Sequence, residues 1–539
     1  MTFAAPRLRV PETSRFPAFN GGLRDLFSTL DDLLTGGGDA RLMLDPITRL
    51  NDYGCGPSPS PQGWSFASCT ASVISERAYD RAGLAREELM RSAIAVGLED
   101  ALDIRIEDMR EELKAHLALP SADVDVIFSP SGTDSQLHAL FLARSLLGER
   151  LTSVVVGADQ TGSGTPYTAR GRHFNRFTAS GTAVRKDTPI AGLAGDCVNV
   201  PLADASDLKP RGDADSAVLD AIDAAVADGA HVLLHIMDSS KLGWRAPSQS
   251  CLDEIGRRWP EQVLVVVDAC QTRLGRRRLS GLLDRGYMVL VTGSKFFGGP
   301  AFSGALLVPS FLSQALDRGE GIAPGILDYA GRSDWPKGWT RLRPRFASRA
   351  NFGQWLRWEA ALEEIGAYYM VPSAFRASAL REFRAGIESL IALSPSLRLV
   401  SAGHVPSAGD EEFSETTIFP FTLHRQGRAI SAHDCRTLYD VLGQDLSQVI
   451  DGSEAERGIV ARRCLVGQPV RIERVKEPTA VLRLCVGARL VTKTWSPDAV
   501  IAAQNVYREL DCIAETIAKI ELLLALDGEA GLRGLSHGI

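Results

Sequence analysis

Short apolar runs rich in β-branched residues recur through the middle of the chain, separated by helical stretches. They predict strands at Val124–Phe128, Ser153–Val156, Cys197–Val200, Val232–Met237, Val263–Val267, Met288–Val291 and Ala305–Val308. Their apolar residues are nearly continuous, as in strands buried on both faces of a parallel sheet. Helical segments such as Ser216–Ala227 lie between most of them. This alternation predicts an α/β domain with a mostly parallel sheet. In open sheets of this kind ligands bind beyond the carboxyl ends of the strands, so the residues that follow each strand carry the chemistry.

The flanks read differently. Residues 1–80 form an arm rich in Gly, Pro and Ser, with Gly36-Gly37-Gly38 and Gly56-Pro57-Ser58-Pro59-Ser60-Pro61, and one short helix near 23–35. A helical pattern runs from Arg81 through the acidic stretch Glu107–Leu113, opening a large domain over 81–330. An amphipathic helix begins at Asn351 and covers Phe352–Ile365. Helix and strand then alternate to about 525, which predicts a smaller C-terminal α/β domain over 331–539 with a disordered tail at Ser536–Ile539. No internal repeat is present.

Composition narrows the classes. A chain of 539 residues can bury a large core and divides into more than one domain. A net charge of -7 leaves no nucleic-acid footprint, and the clusters Arg276–Arg278 and Arg341–Arg345 are local. The nine cysteines are dispersed without a Cys-x-x-Cys pair, which predicts neither a metal knuckle nor a thioredoxin-like site and suits a reducing cytoplasm. The first residues lack the apolar stretch of a signal peptide, and no run approaches the ~20 apolar residues of a membrane span. A cytoplasmic protein with no membrane or nucleic-acid partner is expected.

The chemistry concentrates after two adjacent strands. Val263–Val267 runs into Asp268-Ala269-Cys270-Gln271, and Met288–Thr292 runs into Gly293-Ser294-Lys295-Phe296-Phe297-Gly298-Gly299-Pro300. A carboxylate and a lysine at neighbouring strand ends are what pyridoxal 5'-phosphate (PLP) requires. The amine forms a Schiff base with the aldehyde, and the carboxylate keeps the pyridine nitrogen protonated. Ser131-Gly132-Thr133 follows the first strand and opens a helix, where outward N–H groups and the helix dipole favour an anion, although Ser and Thr are also ordinary caps there.

Asp-x-x-Gln followed 24 residues later by Ser-Lys-x-x-Gly resembles the fold-type I PLP-dependent enzymes, within them the class V aminotransferase and cysteine desulfurase superfamily. The resemblance implies a seven-stranded, mostly parallel large-domain sheet with an antiparallel last strand, and a homodimer. It implies that Lys295 is the internal aldimine and the base that moves the Cα proton, that Asp268 pairs with the ring nitrogen, and that Gln271 meets the ring oxygen. Ser131, Gly132, Thr133 and Ser294 would hold the phosphate, with Thr292 beside them. Ser294 departs from the histidine usual in that superfamily. The loop Gly157–Gly164 takes the place of the ring cover, where Gln160 or Thr161, or alternatively Tyr167 or His173, would serve. Asp238 and Ser239, after the fourth strand, fall beside the cofactor. Pro478–Arg489 resembles the strand whose arginine grips the substrate α-carboxylate, which implies Arg483 for that role, with Arg489 as second candidate. N-terminal arms of such enzymes often line the active-site mouth, which implies Asn51, Tyr53 and Ser68–Ser72 as substrate readers, although a plain structural arm accounts for most of these residues.

The expected function is therefore a PLP enzyme acting on an α-amino acid, of aminotransferase type, with β- or γ-elimination or replacement as the alternative. An NAD-binding oxidoreductase rests only on Gly162-Ser163-Gly164, whose third glycine position holds Tyr167.

Overall fold

The computed structural model describes residues 21–60, 63–204, 209–318, 321–400, 412–472 and 478–526. The tail at Ser536–Ile539 lies outside them. Every predicted strand is present, most one or two residues longer than its apolar run: β1 Val124–Ser129, β2 Leu151–Val156, β3 Asp196–Val200, β4 His231–Met237, β5 Val263–Asp268, β6 Met288–Thr292 and β7 Gly304–Pro309. They form one sheet in the order β1-β7-β6-β5-β4-β2-β3. β7 runs antiparallel to both β6 and β1, while β3, β2, β4, β5 and β6 pair in parallel. The seven-stranded sheet with an antiparallel last strand is as expected.

The helical flanks differ in detail. The long helix begins earlier than expected, at Glu76, and is two helices: α1 Glu76–Val96 and α2 Leu98–His116. Gly97, at φ 87, breaks the run between them. The expected helix near 23–35 is split into a 3-10 turn, Leu23–Phe27, and a short helix, Leu30–Thr35, because Thr29 caps the second through Asp32 N–H. Past β1 the chain enters α3, Gly132–Leu147. The amphipathic run after Asn351 is α4, Phe352–Met370, followed by α5, Ser373–Leu393.

The N-terminal segment is more than an arm. Its strand Gly63–Phe66 joins the C-terminal sheet, lying parallel to β9, Arg463–Ile472. β9 pairs with β10, Thr479–Cys485, and β10 with β8, Ile418–Arg425. The long helix α6, Ala499–Ala525, is also part of this region. Sequence separation hid this pairing, since a four-residue strand carries almost no periodic signal of its own.

α4 ties these parts to the segment that bears Lys295. Arg357, fully buried, donates to the carbonyls of Leu34, Gly36 and Gly37 in the N-terminal segment and to Phe302 beyond Lys295. Trp358 Nε1 donates to Gly304 O at 3.0 Å. A buried guanidinium with all its donors engaged is a rigid strut, because releasing any one acceptor costs a desolvated polar group.

Candidate active site

β5 and β6 are neighbours in parallel, with Asp268 opposite Leu290. Asp268 is the last residue of β5, and Lys295 lies three residues past the end of β6, half-buried in a turn closed by Gly298 N–H to Lys295 O at 3.0 Å. The two groups flank the Cys270 thiol, which burial pushes well up; Asp268 raises it further and Lys295 opposes.

Asp268 is held by neighbours that periodicity could not reveal. Its Oδ2 accepts from Thr161 Oγ1 at 2.9 Å and from Gln136 Nε2 at 3.4 Å, and its Oδ1 accepts from Cys270 N–H at 3.1 Å. Thr161 belongs to the loop after β2, expected as the ring cover; its hydroxyl instead orients the acid. Gln136 is on the first turns of α3 and is held by Thr168 Oγ1. Gln160 is buried, with its carbonyl accepting from Lys241 N–H. Tyr167 and His173 lie elsewhere: Lys186 sits over the Tyr167 ring, and His173 Nδ1 bonds Tyr329 Oη at 2.7 Å.

The turn after β1 builds an anion-accepting cup. Ser131 caps α3 by accepting from Asp134 N–H, so the first-turn amides of Gly132 and Thr133 have no intrahelical acceptor. Gly132 is required by packing: a Cβ there would lie 2.6 Å from Cys270 Sγ and 3.4 Å from Thr292 Cγ2. Thr292 thus underlies the cup, its hydroxyl donating to Cys270 O. Ser294 is buried beside it in sequence. Arg41, from the N-terminal segment, reaches over this turn. Its Nη1 is 3.5 Å from Thr133 Oγ1 and its Nη2 3.4 Å from Ser131 Oγ, while Asp39 grips it from the other side. Burial, then the Asp39 charge, raise the Asp134 carboxyl to about 7, against the lowering bond from Ser131 and the Arg41 charge.

Arg483 is 2% exposed and projects from β10 opposite a bulge in β9 at Gly467. The bulge turns the Gln468 carbonyl toward it, and Arg483 Nη2 donates there and to Thr70 Oγ1. Nη1 donates to the carbonyl of Lys241 at 3.3 Å, and Nε has no hydrogen-bond partner among the described residues. Lys241 was not expected at the site. Burial, then Arg483 and Lys295, lower its amine to about 8, with Asp159 and Asp268 opposing, which places it in the same electrostatic neighbourhood as the Asp268/Lys295 pair.

Other expected contacts fall outside this cluster. Asp238 Oδ1 is paired with Arg278 at 2.8 Å and Arg245 at 3.5 Å, while its buried Oδ2 has no hydrogen-bond partner among the described residues. Ser239 lines a small pocket with Arg245 and Thr416. Gln271 Nε2 donates to Cys69 O, tying the Asp-x-x-Gln turn to the N-terminal segment and leaving Oε1 without a partner among the described residues. Tyr53 packs on Phe302 and feels Arg41, on the cup side rather than beside Arg483. Arg489 packs against Gly298, with Glu364 and Arg77 as its charged neighbours. Tyr53, Asn51, Arg489 and Gln468 all line one open cavity of about 2220 Å³. The Gly162–Gly164 turn leads only into a four-residue helix, Thr165–Thr168, so it lacks the long helix that a dinucleotide loop opens.

No family model matches the chain, and no curated protein matches it. Similar solved structures include Oryza sativa TDC with PLP and tryptamine, at 14% identity and TM-score 0.47 over 86% of this chain and 84% of that one. Catharanthus roseus tryptophan decarboxylase with L-tryptophan is 14% identical, TM-score 0.47, over 85% and 84%. A NifS-like protein from Rickettsia africae is 11% identical, TM-score 0.48, over 85% and 99%.

Proposed function

We propose that this chain is a PLP-dependent enzyme acting on an α-amino acid, most simply by transferring its amino group to an oxo-acid acceptor. The observation that carries the reading is the meeting, beyond one end of the sheet, of a lysine, an oriented carboxylate and an anion-accepting helix terminus. The residues fit the cofactor's three polar regions. Lys295 would take the aldehyde and Asp268 the ring nitrogen. The first-turn amides of α3, with Ser131, Thr133 and Arg41, would take the phosphate. When bound, PLP supplies an electron sink for the charge that develops at the substrate Cα.

The chain's own groups do the rest. Thr161 and Gln136 fix Asp268 in one orientation, so its charge stays aimed at one place. The Lys295 amine, once released, is the base for the Cα proton. Arg483 Nη1 donates once, to the Lys241 carbonyl, and its second N–H is left to help grip a carboxylate. The active unit is a homodimer in this reading, and a fully active monomer by light scattering would overturn that part.

A panel of amino acids with an oxo-acid acceptor tests the reaction. New amino acid formed from the acceptor supports amino transfer. Ammonia and an oxo acid without acceptor would mean elimination, and release of carbon dioxide would mean decarboxylation. If added PLP produces no visible absorbance band with the purified chain, the whole reading fails.

Two expectations follow for the site. Arg483→Ala should weaken amino-acid binding by about 30-fold, the lower end of the roughly 2–5 kcal/mol cost of losing one partner of a buried ion pair. Cofactor binding should be nearly unchanged. Titrating the absorbance band with an amino acid and with its decarboxylated amine measures this: wild type should prefer the acid, and the variant should not. A variant that still discriminates would move the carboxylate role elsewhere.

The cup should also respond to pH. Below about 7 the Asp134 carboxyl is protonated and neutral; above it, the carboxylate repels a bound phosphate. Cofactor affinity should therefore fall as pH rises from 6 to 8, by roughly tenfold for one pKa unit of coupling. Asp134→Asn should flatten that dependence, as measured by equilibrium dialysis of PLP at the two pH values.

A further inference from the structure

Two cysteines that the proposed reaction does not use meet beside Arg483. Cys69 lies just past the strand Gly63–Phe66, and Cys485 is the last residue of β10; with Ile418 they form a small buried cluster, and both are free thiols. Guanidinium groups enclose the pair. Arg273 donates to Ser68 Oγ, the residue before Cys69, and to Val486 O, the residue after Cys485. Arg483 approaches from the other side. A point above Gly467, where a Cβ would stand, is 2.6 Å from Cys69 Sγ and 3.0 Å from Arg483 Nε. Arg273 Nε and Arg483 Nε are both buried without hydrogen-bond partners among the described residues. Two such donors around one thiol pair are those of an anion site whose anion is sulfur.

We propose that Cys69 and Cys485 are a redox-active dithiol: Cys69 is the thiolate that attacks a peroxide, and Cys485 is the thiol that resolves it. The Cys69 sulfur displaces hydroxide from the peroxide O–O bond and becomes a sulfenic acid. The Cys485 sulfur then attacks that sulfur, its proton leaving with the hydroxyl as water. The sum is two thiols and hydrogen peroxide giving one disulfide and two waters.

The electrostatics agree with this division of labour. Burial raises the Cys69 thiol, but the bond from Cys485, then Arg483, Arg273 and Thr70, bring it below the ordinary thiol range. Burial and the neighbouring Cys69 push Cys485 well above it. Both thiols are buried, with the open cavity one contact away: Gln468 lines it and donates its N–H to Oγ1 of Thr70, the residue after Cys69. The bond would weld the N-terminal segment to β10 next to Arg483, whose neighbouring thiolate charge it removes.

Sulfur chemistry on the reduced full-length chain tests this without reference to PLP. One equivalent of hydrogen peroxide, followed by alkylation of the remaining thiols and peptide mass mapping, should give a Cys69–Cys485 cross-link. Free thiols should fall by two from the nine present, and dithiothreitol should restore them. In Cys485→Ala, Cys69 should instead be trapped by dimedone as a sulfenic acid. The oxidation rate should change little from pH 8 to pH 6, where an ordinary thiol near 8.5 would slow on the order of 100-fold. First oxidation at Cys197 or Cys512, the two less buried cysteines, would overturn the proposal, as would nine surviving thiols or a 100-fold loss at pH 6. The wild-type map alone decides the cross-link if a variant fails to fold.

Discussion

Lys295→Ala is expected to abolish turnover while leaving the fold and much of the cofactor affinity in place. The side chain is half-buried in the turn after β6, so truncating it opens no core cavity. The phosphate cup on α3 is built from other residues and should still hold PLP reversibly. What disappears is the amine, which in the proposed reaction serves as both covalent anchor and base. Loss of a general base alone costs about 10²–10⁴-fold, and loss of the covalent step adds to it. Borohydride reduction should fix the cofactor to wild type at the peptide containing Lys295 and fail to fix it to the variant. Label that survives on the variant would assign the anchor to another amine, and Lys241, in the same neighbourhood, is the one the structure offers.

Asp268→Asn should separate binding from chemistry. The amide keeps the shape: its oxygen can still accept from Cys270 N–H and its NH2 can donate to Thr161 Oγ1, so only the long bond from Gln136 is lost and the strand end should not rearrange. Its lost charge no longer favours a protonated ring nitrogen. Removing one close opposite charge lowers a pKa by about 1–3 units. The Cα proton-transfer step should then slow by roughly 10- to 1000-fold, with PLP affinity changing far less. Exchange of the Cα proton with deuterium, followed in a single turnover, reads this directly. An unchanged exchange rate would remove Asp268 from the role.

Much of the fold was legible because its strands are buried on both faces. Continuous runs such as Val263–Val267 leave no other reading at that length, and their ends deliver Asp268 and Lys295 with little ambiguity. The start of α3 was legible for a similar reason, since Ser131-Gly132-Thr133 abuts a strand on one side and a helix on the other. The groups missed are those brought in by contacts across long stretches of chain. Gln136, Arg41, Lys241 and Cys69 each sit on a segment whose local pattern predicts only a helix, a loop or an arm. Asp238 shows the converse: its place after β4 was read correctly, but the two arginines on its Oδ1, Arg245 and Arg278, were not. Strand ends can be located from periodicity. Whether an acid found there is free or neutralised depends on tertiary partners that periodicity does not contain.

The place of β1 in the sheet has a consequence for how the molecule is made. Among the described residues β1 pairs with one strand only, β7, with Ser129 opposite Gly304. On a ribosome, the strand that carries the cup emerges early and its sole partner much later, after β2 to β6. Until then its backbone donors and acceptors face solvent or a chaperone, and closing so long a loop makes the pairing a slow, non-local event. β5 and β6 need no such wait, since each finds a neighbour soon after it is synthesised. The acid, Asp268, can therefore take position in a nascent chain that still lacks both the finished turn of Lys295 and the paired β1. Cofactor capture becomes a late checkpoint in maturation, and a chain stalled before Pro309 should bury its central strands yet retain no PLP.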